Sequence, residues 1–246
     1  MKYSVLRLSA AVVAMSVSGA LAGGLVSPIA TPEVIVLEPP VAPLGWTGAY
    51  VGANIAYAFM GDDRLGVSRN NYIFAEPGKL ELSGLNAGLR LGYRSELGGI
   101  GRNWLVSGEI AFEGGNIKDS LAADGFEGAV DVNHVLGLRG RAGVLNEARD
   151  TWFYGIAGIA QIDYDYSFSG RDGSTGFSSS VEGQTATGYL IGLGVERKLN
   201  ERLSVTGEWE YANFGKDILG NEPGFPYSTR MTPDYHNIKL GVNYQF

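Results

Sequence analysis

The last eleven residues of the chain alternate without a break. His236, Ile238, Leu240, Val242, Tyr244 and Phe246 share one face, and Asn237, Lys239, Gly241, Asn243 and Gln245 share the other. A period of two held over that length is a β-strand with one apolar and one polar face. Such a face must be covered, by a packed core or by lipid, so the ending restricts the chain to folds in which sheets stack or close.

The other end of the chain says where it goes. Lys2 and Arg7 flank the start of a mostly apolar run, Leu8 to Val17, and Ala20-Leu21-Ala22 is an A-x-A cleavage site. Residues 1–22 therefore read as an export signal, with the mature chain starting at Gly23. A retained anchor is the alternative, but the run is short for the ~20 residues of a spanning helix. The chain contains no Cys, which removes a lipoprotein anchor, a disulfide framework and thiolate chemistry. Without the signal, 17 basic residues stand against 26 acidic ones, a net −9 that argues against nucleic-acid binding. Residues 23–45 hold five of the nine prolines, Pro28, Pro32, Pro39, Pro40 and Pro43, and read as an extended periplasmic leader.

From Trp46 onward eight segments carry strand-like alternation: 46–59, 80–94, 104–114, 130–144, 151–168, 186–198, 203–214 and 236–246. Each reaches the ~9–11 residues of a tilted spanning strand. No later run is long enough for an apolar helix, and a membrane protein without helical spans must be a closed barrel, because backbone groups in lipid need internal partners. The connections 60–79, 115–129, 169–185 and 215–234 are long and rich in Gly, Asp, Asn and Ser, whereas 95–103, 145–150 and 199–202 are shorter. Long outer loops over short periplasmic turns place both termini in the periplasm of a Gram-negative cell. The expected fold is all-β: an eight-stranded antiparallel up-and-down transmembrane β-barrel over residues 46–246, in the outer membrane.

Alternation alone does not say which face points out, since a soluble lipocalin-like barrel alternates with its apolar face inward. Gly and other small residues on the polar face suit a narrow interior, and aromatics gather at strand ends. Trp46, Tyr93, Trp104, Trp152, Tyr244 and Phe246 fall at one end, and Tyr57, Phe59, Phe112, Tyr164, Tyr166 and Tyr211 at the other, as two interfacial girdles. Leu89, Leu136, Ile156, Ile191, Val205 and Leu240 are then lipid-facing at mid-depth.

Four segments resemble a known family. Trp46-Thr47-Gly48-Ala49-Tyr50-Val51-Gly52, Gly192-Leu193-Gly194-Val195-Glu196, Glu208-Trp209-Glu210-Tyr211-Ala212-Asn213-Phe214-Gly215 and Gly241-Val242-Asn243-Tyr244-Gln245-Phe246 are similar to strand motifs of small OmpA-like, opacity-type outer-membrane proteins of alphaproteobacteria, the outer-membrane immunogenic protein group. Trp209, Asn213 and Gln245 depart from the Tyr, Asp and Arg of those motifs. The resemblance implies an abundant barrel that supports envelope integrity and contacts outer-membrane lipids and lipopolysaccharide. It also implies that Phe246 closes the signal read by the barrel-assembly machinery. Some members are tethered to peptidoglycan through an acidic-flanked mature N-terminus, and Gly23-Gly24 departs from that pattern.

The candidate chemistry lies on the polar face. Arg90, Arg139, Arg141 and Lys239 stand alongside Glu109, Glu113, Glu196, Glu208 and Glu210. These could line an ion path, but eight strands leave an interior just wide enough for side chains, which favours a plugging salt-bridge network over a small porin-like channel. Glu208 with Glu210, and Asp163 with Asp165, lie two apart and are expected to point inward together. The spacing at Asp163 and Asp165 is incomplete for a calcium loop. His134 and His236 are expected on the lipid face, and neither has the Ser two residues on that a deacylase-like H-x-S needs. A haem- or ligand-binding receptor would need exposed loop groups such as Tyr72 or Tyr227. Gly98-Gly99-Ile100-Gly101 is a turn, with no helix to make it a nucleotide loop. No enzyme activity, cofactor or metal is expected.

Overall fold

The computed structural model describes residues 45–61, 63–70, 72–98, 103–215, 217–219 and 227–246. The expected export signal, nearly all of the expected leader and most of the expected Gly98–Gly101 turn lie outside the described residues. The described residues form twelve strands: β1 (Gly48–Phe59), β2 (Asp63–Arg69), β3 (Tyr72–Leu80), β4 (Gly84–Glu96), β5 (Trp104–Ala123), β6 (Phe126–Leu145), β7 (Thr151–Asp172), β8 (Thr175–Lys198), β9 (Leu203–Asn213), β10 (Asp217–Leu219), β11 (Tyr227–Met231) and β12 (Asp234–Gln245).

Eight of them close a barrel in the order β1-β12-β9-β8-β7-β6-β5-β4, every pair antiparallel. The terminal alternation acts here. Val51, Ala53 and Ile55 of β1 pair with Tyr244, Val242 and Leu240 of β12, so first and last strands share faces and the sheet has no edge inside the ring. Short turns connect β6 to β7 and β8 to β9 at the end holding the termini. In the first, Asn146 Oδ1 accepts from the backbone N–H of Asp150 and Thr151. Hydrogen bonds from the Thr151 hydroxyl and the Asn146 amide hold the Asp150 carboxyl below its ordinary pKa.

At the far end the expected long loops are strands. Residues 115–129 continue β5 and β6 to a two-residue hairpin at Asp124-Gly125, both at positive φ (52° and 79°), the Asp-Gly signature of a type I′ turn. Residues 169–185 likewise continue β7 and β8 to a turn at Gly173-Ser174. The segments 60–79 and 215–234, expected as loops, contain β2, β3, β10 and β11, a separate four-stranded sheet in the order β10-β11-β2-β3. Tyr227 of this cap joins Val130, Tyr164, Tyr166, Phe168 and Phe177 of the extended barrel strands in a buried aromatic-aliphatic cluster. Tyr227 stacks on Phe177 at 4.1 Å.

Candidate functional site

Around the ring, large apolar side chains face out. Ile55, Leu89, Leu91, Ile110, Leu136, Leu138, Ile191, Leu193, Leu240 and Val242 are all exposed. A continuous apolar belt on a closed, edgeless sheet is the surface lipid requires. Tyr93, Trp104, Phe153, Tyr244 and Phe246 rim the belt at the termini end. Tyr57, Phe112, Tyr189 and Trp209 rim it at the far end.

Three expected girdle members and one expected lipid anchor face inward instead. Trp152, Ile156 and Tyr164 lie on the inward face of β7 and are buried, and so is Tyr166. The register explains the inversion. Arg141 of β6 stands opposite Ile156, and residues directly opposite each other share a face, so a strand whose neighbour points Arg141 inward must point Ile156 inward. Phe153 and Ile159 are the large apolar residues on the outward face of β7. Trp46 is buried as well, its indole N–H donating to the Arg149 carbonyl at 2.8 Å and its ring packed edge-on to Trp152. These two indoles close the barrel interior at the termini end. Val132 is buried on the inward face, because a bulge between Val132 and His134 shifts the alternation of β6 relative to Leu136 and Leu138.

All nine expected lumen charges are buried and brought together, and a tenth joins them. Arg90, Arg94, Arg139, Arg141 and Lys239 face Glu109, Glu113, Glu196, Glu208 and Glu210, five cations against five carboxylates. Arg139 lies 2.7 Å from Glu113, 3.2 Å from Glu210 and 3.5 Å from Glu109. Lys239 reaches Glu113 at 2.6 Å and Glu210 at 2.5 Å. Arg141 joins Glu109 at 2.8 Å to Glu208 at 2.9 Å. Arg90 meets Glu208 at 3.1 Å, and Arg94 meets Glu196 at 2.7 Å. Buried carboxylates need hydrogen bonds as well as counter-charges. The Tyr50 hydroxyl supplies one to Glu109 at 2.8 Å, that of Tyr154 one to Glu208 at 2.7 Å, and Asn243 one to Glu196 at 2.8 Å.

Arg94 escapes a reading of the sequence because it is the last residue of the alternating segment 80–94. Following the inward positions Arg90 and Gly92 one step further finds it. Arg94 also lies 4.0 Å above the Tyr50 ring, a cation–π contact. The tyrosines need room that glycine provides. A Cβ on Gly92 would fall 2.5 Å from the Tyr50 ring, and one on Gly194 would fall 2.4 Å from that of Tyr154.

The remaining candidates do not converge. Asp163 and Asp165 lie on the outward face of β7, opposite to the expectation, because Tyr164 and Tyr166 fill the inward positions. Asp163 accepts from the Asn133 amide, and Asp165 from the Gly183 N–H, each at 2.8 Å. His236 stacks on Trp209 on the outward face, and His134 packs against Phe112. Tyr72 is exposed, but Tyr227 is buried and not available as a loop ligand.

The model of the family described as "Outer membrane protein beta-barrel domain" matches residues 38–246. The chain belongs to that family. This outer-membrane barrel is 27% identical over 237 residues to the 31 kDa outer-membrane immunogenic protein of Brucella melitensis, covering 87% of this chain and 92% of the relative. It is also 27% identical over 210 residues to the 22 kDa outer membrane protein of Rhizobium leguminosarum, covering 85% and 82%. Among solved structures it resembles the outer membrane protein OprG of Pseudomonas aeruginosa, with a TM-score of 0.52 at 13% identity, covering 81% of this chain and 96% of that one. That likeness concerns the fold alone.

Proposed function

We propose that this barrel is a structural component of the outer membrane that supports envelope integrity rather than conducting solutes. The observation carrying the reading is the filled lumen. Five cations and five carboxylates, mutually paired at 2.5–3.5 Å, occupy the cross-section that an ion path would need. Each charge removed alone would leave an unbalanced charge buried in the lumen, which costs about 3–5 kcal/mol, so the plug resists opening.

In this reading the termini and short turns lie in the periplasm and the β-structured cap lies outside the cell. The apolar belt binds outer-membrane lipids, and the cap meets lipopolysaccharide. The barrel-assembly machinery reads the exposed terminal Phe246, and the leader is the segment through which peptidoglycan would be reached. A strain lacking the protein should release excess outer-membrane vesicles, and the intact gene should reverse this. Normal release would sink the structural role. A ligand-capturing surface receptor is the second reading, favoured by the exposed Tyr72 on β3. Saturable haem binding by purified barrel, lost in Tyr72→Phe, would establish it.

A further inference from the structure

Two neighbouring rows of outward side chains leave a groove between them that crosses six strands. One row runs Phe112, Leu89, Ala53, Val242, Val205 and Arg197, each opposite the next in the ladder. The adjacent row runs through Ala87, Ile55, Leu240, Gly207 and Val195 in the same way. The space between them is about 1110 Å³. Small residues open it. At Gly207 an added Cβ would stand 3.8 Å from Val195 and 4.0 Å from Leu240, so the groove there is unfilled but has room for carbon.

The groove climbs as it crosses the strands. Arg197 is the next-to-last residue of β8 at the termini end, Val205 the third of β9, and Phe112 the ninth of β5. Five gaps of about 4.8 Å give a length of roughly 24 Å. Strands tilted about 45° put that path at about 45° to the membrane normal, so it climbs about 17 Å, from Arg197 at the termini end to Phe112 on the far-end rim of the belt. A cation marks the foot of this apolar track. The Arg197 side chain is 66% exposed, with the Asp150 carboxylate 3.7 Å away. The same β8–β9 hairpin carries a second exposed guanidinium, Arg202, which donates to the Tyr244 hydroxyl at 3.2 Å.

We propose that this groove holds one glycerophospholipid of the leaflet at the termini end, an acyl chain lying between the two rows and the phosphate paired with Arg197. Charge complementarity selects the occupant: an anion is needed at headgroup depth, and a planar guanidinium matches phosphate. Assignment to the periplasmic leaflet rests on the membrane placement proposed above. The groove and its ligand do not.

The test is native mass spectrometry of the full barrel, extracted from membranes in non-ionic detergent and titrated with dioleoyl phosphatidylglycerol. A single-lipid adduct is expected. Gly207→Leu, which fills the groove, and Arg197→Gln, which removes the cation, should each weaken it about tenfold or more, roughly 1.4 kcal/mol. Asp150→Asn should strengthen it by freeing Arg197, and Leu138→Val on the opposite wall should leave it unchanged. Heat-shifted gel mobility checks that each variant is closed. If Gly207→Leu does not fold, surface-exposed Arg197→Gln decides. Absence of a discrete adduct, equal binding by all variants, or displacement of the phospholipid by lipopolysaccharide overturns the proposal. Detergent has no inside or outside, so an error in the membrane placement would leave this result intact.

Discussion

Arg139→Met tests the plug at its most connected point. The guanidinium is held by three carboxylates, Glu113, Glu210 and Glu109, and its side chain is only 3% exposed. Glu109 would keep Arg141 and the Tyr50 hydroxyl. Glu113 and Glu210 would be left sharing Lys239 alone, one cation for two buried carboxylates. Breaking a buried pair in this way costs about 3–5 kcal/mol, a shift in the folding equilibrium of about a thousandfold. Adding Glu210→Met restores the charge balance with a side chain of similar reach. Replacing both members of a buried pair by apolar groups is often neutral, so the double variant should regain most of the loss. The assay is urea unfolding in lipid vesicles followed by fluorescence of the four tryptophans. A loss below about 1 kcal/mol for the single variant, or a double variant no more stable than the single, would refute the reasoning.

Two further outcomes follow from the facing of the strands. Leu138→Arg puts a charge on the lipid face between Ile110 and Ile159 and should cost about 2–4 kcal/mol in bilayers, read by the same titration, and an unchanged stability would contradict the facing of β6. The chain has no cysteine, so single-cysteine spin labels can be placed cleanly on β7. Labels at 153 and 159 should relax strongly with oxygen dissolved in lipid and labels at 156 and 162 weakly, and the reverse pattern would restore the opposite facing.

Most of the ring is readable from alternation because lipid outside and a charged lumen inside impose opposite demands on neighbouring residues. That holds for β1, β4, β9 and β12, where Gly, Asn, Arg, Lys or Glu mark the inward positions without ambiguity. It fails for β7, where both faces are apolar and the greasier one, Trp152, Tyr154, Ile156, Ile162 and Tyr164, packs the interior. Hydrophobicity ranks the two faces of that strand the wrong way round, and only the pairing of Arg141 with Ile156 corrects it. The cap is harder still. Beyond the lipid, the outward face of a strand can be Ser, Asp or Gly, as in Ser167 opposite Ser180 and Ser169 opposite Ser178. Half of the alternation signal is then indistinguishable from a loop. The inward half is present in Val130, Val132, Tyr166 and Phe168, but three bulges break its phase. The lumen charges are legible as a set, because a charge in the middle of a spanning strand can face only the lumen without being stranded in lipid. Their pairing is not, since partners up to 126 residues apart in sequence meet only when the ring closes.

Single-channel recording of the purified barrel in a planar lipid bilayer tests the central claim most directly. A lumen filled by mutually neutralising side chains should give a quiet trace with no unitary steps, across applied voltages of either sign. Reproducible steps of constant size from the wild-type protein would mean that the charge network opens, and would contradict a plugged structural barrel.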